Sequence, residues 1–236
     1  MEIRKISIVM PVYNEERWVE RAIGRVMDAP IPVGLARELV VVNDGSADQT
    51  ADAIDRCRAR YPRLIRLARH PQNRGKGAAL RTGFALVTGD VVIVQDADLE
   101  TDPNDYQGLL QPILDGRADV VYGSRFSGGR RASGYFWNSA ANRILTFLSN
   151  LVNHTHLTDM ATCYKVFHRR VLQGMKLRSN RFGFDPEFTA KIAKKKVRVS
   201  EVPVCYRPRT FSEGKKISWK DGVKAVLAIL WFRLFD

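Results

Sequence analysis

The sequence predicts an α/β fold, a mostly parallel central sheet flanked by helices in a single domain, followed by an amphipathic C-terminal helix. Three observations predict it. Short, continuously apolar runs alternate with segments of helical periodicity through the first half of the chain. Each of those runs ends in polar residues, so a parallel sheet would gather five polar termini along one edge. The length, 236 residues, suits one ordinary domain, and a 45% hydrophobic content can fill its core.

The elements follow in order. "ISIVMPVY" (6–13) predicts a buried strand ending in Pro11, Tyr13, Asn14 and Glu15. Residues 15–27 carry a helical stripe of Trp18, Val19, Ala22, Ile23 and Val26. "ELVVVND" (38–44) is a second strand, ending in Asn43, Asp44, Gly45 and Ser46. Ser46 is placed as an N-cap, with Asp48 in the first turn of a helix to about Tyr61. "LIRLAR" (64–69) is a third strand, followed by Asn73, Arg74, Gly75 and Lys76. A helix over 75–89 closes on Gly89, and "DVVIVQDAD" (90–98) is a fourth strand running into Asp96, Asp98 and Glu100. After a helix over 103–116, "ADVVYGSR" (118–125) is a fifth strand ending in Gly123, Ser124 and Arg125. The second half is less regular. It predicts a long helix over 134–153, a strand and helix in "ATCYKVFHRRVL", a helix over 185–196 opened by Pro186, and an alternating strand over 197–208.

Charge divides the chain. Residues 1–120 hold 16 basic and 18 acidic side chains, whereas residues 121–236 hold 22 basic and 7 acidic, within a net charge of +13. The second half is therefore suited to an anionic partner: a phosphorylated ligand, a membrane surface or nucleic acid. A nucleic-acid role explains the charge but not the ordered polar strand ends, and none is expected. Three cysteines without close pairing fit a reduced, intracellular chain. The charged N-terminal residues Glu2, Arg4 and Lys5 argue against a signal peptide, and no apolar stretch reaches the ~20 residues of a membrane span.

Several nucleotide-site chemistries are excluded. No G-x-G-x-x-G follows the first strand, and "NRGKGAAL" lacks the upstream Gly and following Ser/Thr of a P-loop. An aspartyl phosphatase would want D-x-D-x-T where this chain has D-A-D-L-E-T. What remains is a D-x-D pair at a strand mouth. Hard carboxylate oxygens two residues apart suit Mg²⁺ or Mn²⁺, ions that also bind substrate phosphates.

The chain resembles the family 2 inverting glycosyltransferases of GT-A type, and among them the polyprenol-phosphate sugar synthases that make dolichyl-phosphate mannose or glucose. The matching stretches are "PVYNEE" (11–16), "VVNDGSADQT" (41–50), "NRGKGAALRTGF" (73–84), "QDADLETDP" (95–103), "VYGSRF" (121–126), "DMATCYKVF" (159–167), "RFGFDPEFTAKIA" (181–193) and "YRPRTFSEGKKISWKDG" (206–222). The resemblance implies a catalytic domain over 1–215, with a nucleotide-sugar half (1–125) and an acceptor half (126–215). It implies that Pro11, Tyr13, Glu15 and Asp44 hold the nucleoside and that Lys76 approaches the phosphates. Asp96 and Asp98 would serve metal and ribose, with Glu100 as a further metal ligand. Arg125 and a basic residue of the 207–216 loop (Arg209, Lys215 or Lys216) would face the diphosphate and the acceptor phosphate. The implied donor is GDP-mannose or UDP-glucose and the implied acceptor a polyprenyl phosphate. That acceptor needs no strong base, because its second pKa is near 6. A sugar-hydroxyl acceptor would need one, and Asp185 or Glu187 are the candidates. Asp185 is otherwise placed in support on the acceptor side.

The last segment, 216–236, spaces Trp219, Val223, Val226, Leu227, Leu230, Trp231 and Leu234 as one helical face, with Lys220, Lys224 and Arg233 between them. That pattern fits a helix lying in a membrane surface. Peripheral attachment to the cytoplasmic face is expected; packing of the helix on the domain is the alternative.

Overall fold

The computed structural model describes residues 2–127, 136–209 and 219–235. Its strands are β1 (Lys5–Val12), β2 (Ala36–Asn43), β3 (Ile65–Arg69), β4 (Val91–Val94), β5 (Val120–Ser124), β6 (Lys165–His168) and β7 (Val199–Pro203). The helices are α1 (Val19–Asp28), α2 (Thr50–Arg60), α3 (Lys76–Leu86), α4 (Tyr106–Leu114), α5 (Phe136–Asn153), α6 (Phe184–Lys194) and α7 (Trp219–Leu234). The strands make one sheet in the order β3-β2-β1-β4-β6-β5-β7. Every pairing is parallel except those of β6, which runs antiparallel to both β4 and β5. The mostly parallel sheet is as the apolar runs predict. The reversed strand brings the loop before Lys165 to the edge where β1, β2, β4, β5 and β7 end.

Both faces of the sheet are covered, which is why its strands read as unbroken apolar runs. Ile6, Ile8, Met10 and Val12 of β1 pack on the side of α1, α2 and α4, while Val9 packs on the side of α3 and α6. On that second side Phe84, Phe167, Phe184 and Phe188 form a connected aromatic cluster, with centroids 5.1–6.0 Å apart.

Helix boundaries depart from the sequence expectation where loops bind one another. Ser46 does not cap a helix; its Oγ accepts the Asn14 N–H at 3.0 Å, and Ala47 N–H donates to Asn14 Oδ1 at 2.9 Å. The helix starts at Thr50 instead, and Asp48 accepts from Thr50 N–H and Glu16 N–H. The first helix likewise starts at Val19, after a turn in which Trp18 N–H and Val19 N–H both donate to the Glu15 carbonyl. Polar residues that look like caps in isolation are used to tie two strand ends together. Gly89 does not close α3, which ends at Leu86. Its N–H donates to Ser7 Oγ, and a Cβ there would collide with Ser7 and the Lys5 carbonyl.

The opposite, N-terminal edge of the sheet is fastened by Glu38. Its buried carboxylate accepts from Lys5 Nζ (2.8 Å), Ser7 Oγ (2.5 Å), Thr88 N–H (2.7 Å) and Thr88 Oγ1 (2.8 Å). Burial alone would raise its pKa, but these donors outweigh burial and hold it at about 2, below its ordinary 4.5. A depressed carboxylate contributes stability that is complete above its unfolded pKa and is lost as pH falls through the folded one. This contribution should therefore fade between about pH 4.5 and 2. Glu38→Gln is expected to cost about 2–3 kcal/mol at pH 7. Urea unfolding at pH 7 and pH 2.5 checks both, the difference between variant and parent shrinking at the lower pH.

Candidate active site

The acids that follow β4 lie in the loop 95–101, not in the strand, which ends at Val94. The loop folds back tightly: Leu99 adopts φ 60°, and the Asp98 carboxylate accepts Glu100 N–H at 3.1 Å. Asp96 pairs with Lys76 Nζ at 2.7 Å. Burial would lower the Lys76 pKa, but Asp96 overrides it and holds the ammonium protonated, above its ordinary value. Asp98 is different. Burial, then the neighbouring Asp96 and Glu100, push its pKa up to about 7, against the weaker opposition of Arg209.

The segment after β7 crosses this loop. Thr101 and Tyr206 form an isolated antiparallel bridge, and Arg207 N–H donates to the Glu100 carbonyl. Glu100 accepts from Tyr206 OH (2.8 Å) and from Arg209 N–H (2.9 Å). The Arg209 guanidinium reaches Glu15 at 2.9 and 3.3 Å, and lies 3.6 Å from Asp98 and 3.9 Å from Glu100. Its Nε is buried without a hydrogen-bond partner among the described residues. One arginine thus sits among three carboxylates from two strand ends. Among the described residues no group of three or more His, Cys, Asp or Glu side chains is arranged to hold a metal. Of the expected metal ligands, Asp96 is paired with Lys76, and Glu100 is held by Tyr206 and by the Arg209 backbone.

Asp44, expected at the nucleoside, is 2% exposed, and its four acceptor positions are filled. Oδ1 is bonded to His70 Nδ1 (2.6 Å) and Arg74 N–H (3.0 Å), and Oδ2 accepts Asn73 Nδ2 (3.0 Å) and Gly75 N–H (2.7 Å). As arranged it shapes the turn that delivers Lys76. Gly75, at φ 97°, and Gly77 let the 179–181 segment approach: a Cβ on either would strike the backbone of Asn180 or Ser179. Pro11 and Tyr13 are half-buried at the end of β1, beside Glu15, whose carboxylate is engaged by Arg209.

Arg125, at the end of β5, is part of a buried ion pair. Its Nε and Nη2 each donate at 2.7 Å to the fully buried Asp159, whose carboxylate also accepts the Arg125 N–H. Tyr206 and Phe126 lie over its guanidinium at 5.1 and 5.7 Å. Asp185 is bound to Nζ of Lys165, a lysine with no exposed surface, whose Nζ also donates to the Thr162 carbonyl. Glu187 cannot act as a base for an acceptor. It is fully buried, accepts Arg178 and Ser179 N–H, and pairs with Lys191. Lys215 and Lys216 lie outside the described residues.

The structure brings Glu15, Lys76, Asp96, Asp98, Glu100 and Arg209 together at one edge. Residue reasoning assigned no role to Asp159, Lys165, Gln95 or Tyr206, although each lies in or beside a stretch carrying the resemblance. The available signal was a charged or polar residue within an otherwise apolar run.

The family model for glycosyl transferase family 2 matches residues 7–175. The dolichol-phosphate mannosyltransferase of Pyrococcus furiosus is 29% identical over 214 residues, covering 89% of this chain and 59% of that protein. Glycosyltransferase AglD of Haloferax volcanii is 28% identical, covering 87% of this chain and 33% of its own length. An undecaprenyl-phosphate 4-deoxy-4-formamido-L-arabinose transferase of Salmonella typhimurium is 28% identical, covering 90% and 63%. The chain therefore spans between a third and about three fifths of the length of these relatives. Among solved structures, glucosyl-3-phosphoglycerate synthase from Mycobacterium tuberculosis, in complex with Mn²⁺, UDP and phosphoglyceric acid, superposes with a TM-score of 0.73 at 22% identity, over 98% of this chain and 78% of that one.

Proposed function

The chain belongs to glycosyl transferase family 2, and we propose that it transfers a hexose from a nucleotide diphosphate sugar, GDP-mannose or UDP-glucose, to a polyprenyl phosphate at a membrane surface. The observation that carries this reading is the acid cluster around Asp98, faced by the guanidinium of Arg209 at the sheet edge. Residues 1–125 supply the donor half and 126–215 the acceptor half. The relatives named for dolichol-phosphate and undecaprenyl-phosphate substrates support the acceptor class.

The residues fit a divalent cation. Asp98 is a hard oxygen donor whose carboxyl is pushed to about 7 by burial and by Asp96 and Glu100, so a cation there would relieve repulsion. One or two carboxylates with donor phosphates are the usual provision for Mg²⁺, and Asp98 with Asp96 would supply them for Mg²⁺ or Mn²⁺. When bound, the ion would neutralise charge on the departing nucleoside diphosphate. Lys76, kept protonated by Asp96, stands to face the donor phosphates. Arg209 with Lys215, and Arg125 held by Asp159, provide cations against which two anions can be brought together. Asp185, neutralised by Lys165, supports the acceptor side. The acceptor phosphate, largely ionised at neutral pH, attacks the sugar C1 without a general base.

The membrane surface is supported by α5 and α7. These helices pack together, and α7 buries Ile229 and Phe232 while Leu227, Leu230, Trp231 and Leu234 stay exposed. Ile144, Phe147 and Leu151 form an exposed stripe on α5, with Arg143 and Lys224 exposed beside the two faces. The last helix thus packs against α5 and α6 and leaves an apolar strip exposed. Among the described residues no helix is long and apolar enough to cross a membrane. Attachment would be peripheral, on the cytoplasmic face. Two assays test the function: incubation of labelled nucleotide sugars with polyprenyl phosphate, and flotation with anionic liposomes. An acid-labile lipid-linked sugar, lost with a chelator, is expected. Transfer to sugar hydroxyls alone would defeat the lipid-phosphate reading.

A further inference from the structure

Between the apolar strand β4 and the acids lies Gln95, 2% exposed. Its amide uses all four of its hydrogen-bonding positions. Oε1 accepts Tyr106 OH at 2.7 Å and Tyr164 OH at 2.9 Å. Nε2 donates to the Asp96 carbonyl at 3.0 Å and to Thr101 Oγ1 at 3.0 Å. Asp96 and Thr101 are the two ends of the loop whose apex carries Asp98. Among the described residues the Asp98 carboxylate has, beyond Arg209, one hydrogen bond, from a residue of its own loop. Its position is therefore set by how the loop ends are held.

We propose that Gln95 is a positioning residue for metal-bound donor: by clamping both ends of the 96–101 loop, it sets where Asp98 presents its carboxylate. Only a primary amide supplies two donors and two acceptors in one plane. A hydrocarbon of the same size leaves two tyrosine hydroxyls, a carbonyl and a threonine hydroxyl without their partner. A carboxylate keeps the tyrosines and loses both loop bonds. Outer partners of this kind commonly govern metal affinity without touching the ion.

This inference rests on the metal-dependent reading above, and its test separates the two. Mn²⁺ is titrated calorimetrically into protein saturated with UDP and, in a second series, GDP. Steady-state rates and melting temperatures are measured alongside. Gln95→Leu is expected to weaken Mn²⁺ binding about 10- to 100-fold and to lower kcat, with KM for the lipid acceptor unchanged. Thr101→Val, which removes one loop bond and preserves shape, should weaken Mn²⁺ by about 3- to 10-fold and serves if Gln95→Leu does not fold. Tyr106→Phe removes a bond to the same amide but leaves both loop bonds. It should lower the melting temperature while holding Mn²⁺ affinity within about twofold. Parental Mn²⁺ affinity in Gln95→Leu or Thr101→Val overturns the proposal, as does an equal loss in Tyr106→Phe. A parent protein that binds no Mn²⁺ with either nucleotide overturns the metal-dependent reading itself, and this inference with it.

Discussion

Asp98→Asn is expected to lower sugar transfer by at least about 100-fold, or about 2.7 kcal/mol of barrier, without destabilising the fold. The two halves of this expectation have one cause. Asp98 sits beside Asp96 and Glu100, with Arg209 at 3.6 Å and, among the described residues, a single backbone donor. Its charge is opposed by its surroundings, so the neutral isostere removes repulsion, and unfolding free energy should hold or rise by up to about 1 kcal/mol. The carboxylate that is poorly served by the protein is the one available to a cation. Initial rates at saturating donor, paired with thermal melts without metal, check both halves. Full turnover in the variant would remove Asp98 from the chemistry. A large fall in melting temperature would instead make it a structural residue.

Asp159→Ala is expected to have the largest effect on stability, about 3–5 kcal/mol. Asp159 has no exposed surface and accepts three hydrogen bonds from Arg125. Its removal strands a largely buried guanidinium. The loss should spread to the site, because Tyr206 lies over Arg125 and holds Glu100. Urea unfolding of the single variant and of Asp159→Ala/Arg125→Met decides the cause. If the stranded charge is responsible, the double variant recovers a substantial part of the loss. No recovery would assign the cost to packing around Asp159.

Much of the donor half was legible before any fold was known. The five strands of residues 5–124 announced themselves because a parallel sheet covered on both faces favours apolar side chains at most positions. The polar residues at their ends then had to share an edge. Helix starts were less legible. Ser46 has the chemistry of a cap, yet the neighbouring loop supplies Asn14 as its partner. The reversal of β6 was not legible at all, since a strand of four residues carries no direction.

Sequence alone determined the α/β class, the order of the strands along the chain, the acid pair at the mouth of β4 and the resemblance to family 2 glycosyltransferases. Those are properties of local pattern, written in residues close together in the chain. Tertiary structure decided which charges are spent and which are left. It filled Asp44 with four donors, tied Arg125 to Asp159 and Lys165 to Asp185, and set Arg209 against Glu15, 194 residues away in the chain. The reason is physical: whether a buried charge is free for a ligand depends on what lies within a few ångströms of it, and those neighbours come from distant parts of the sequence.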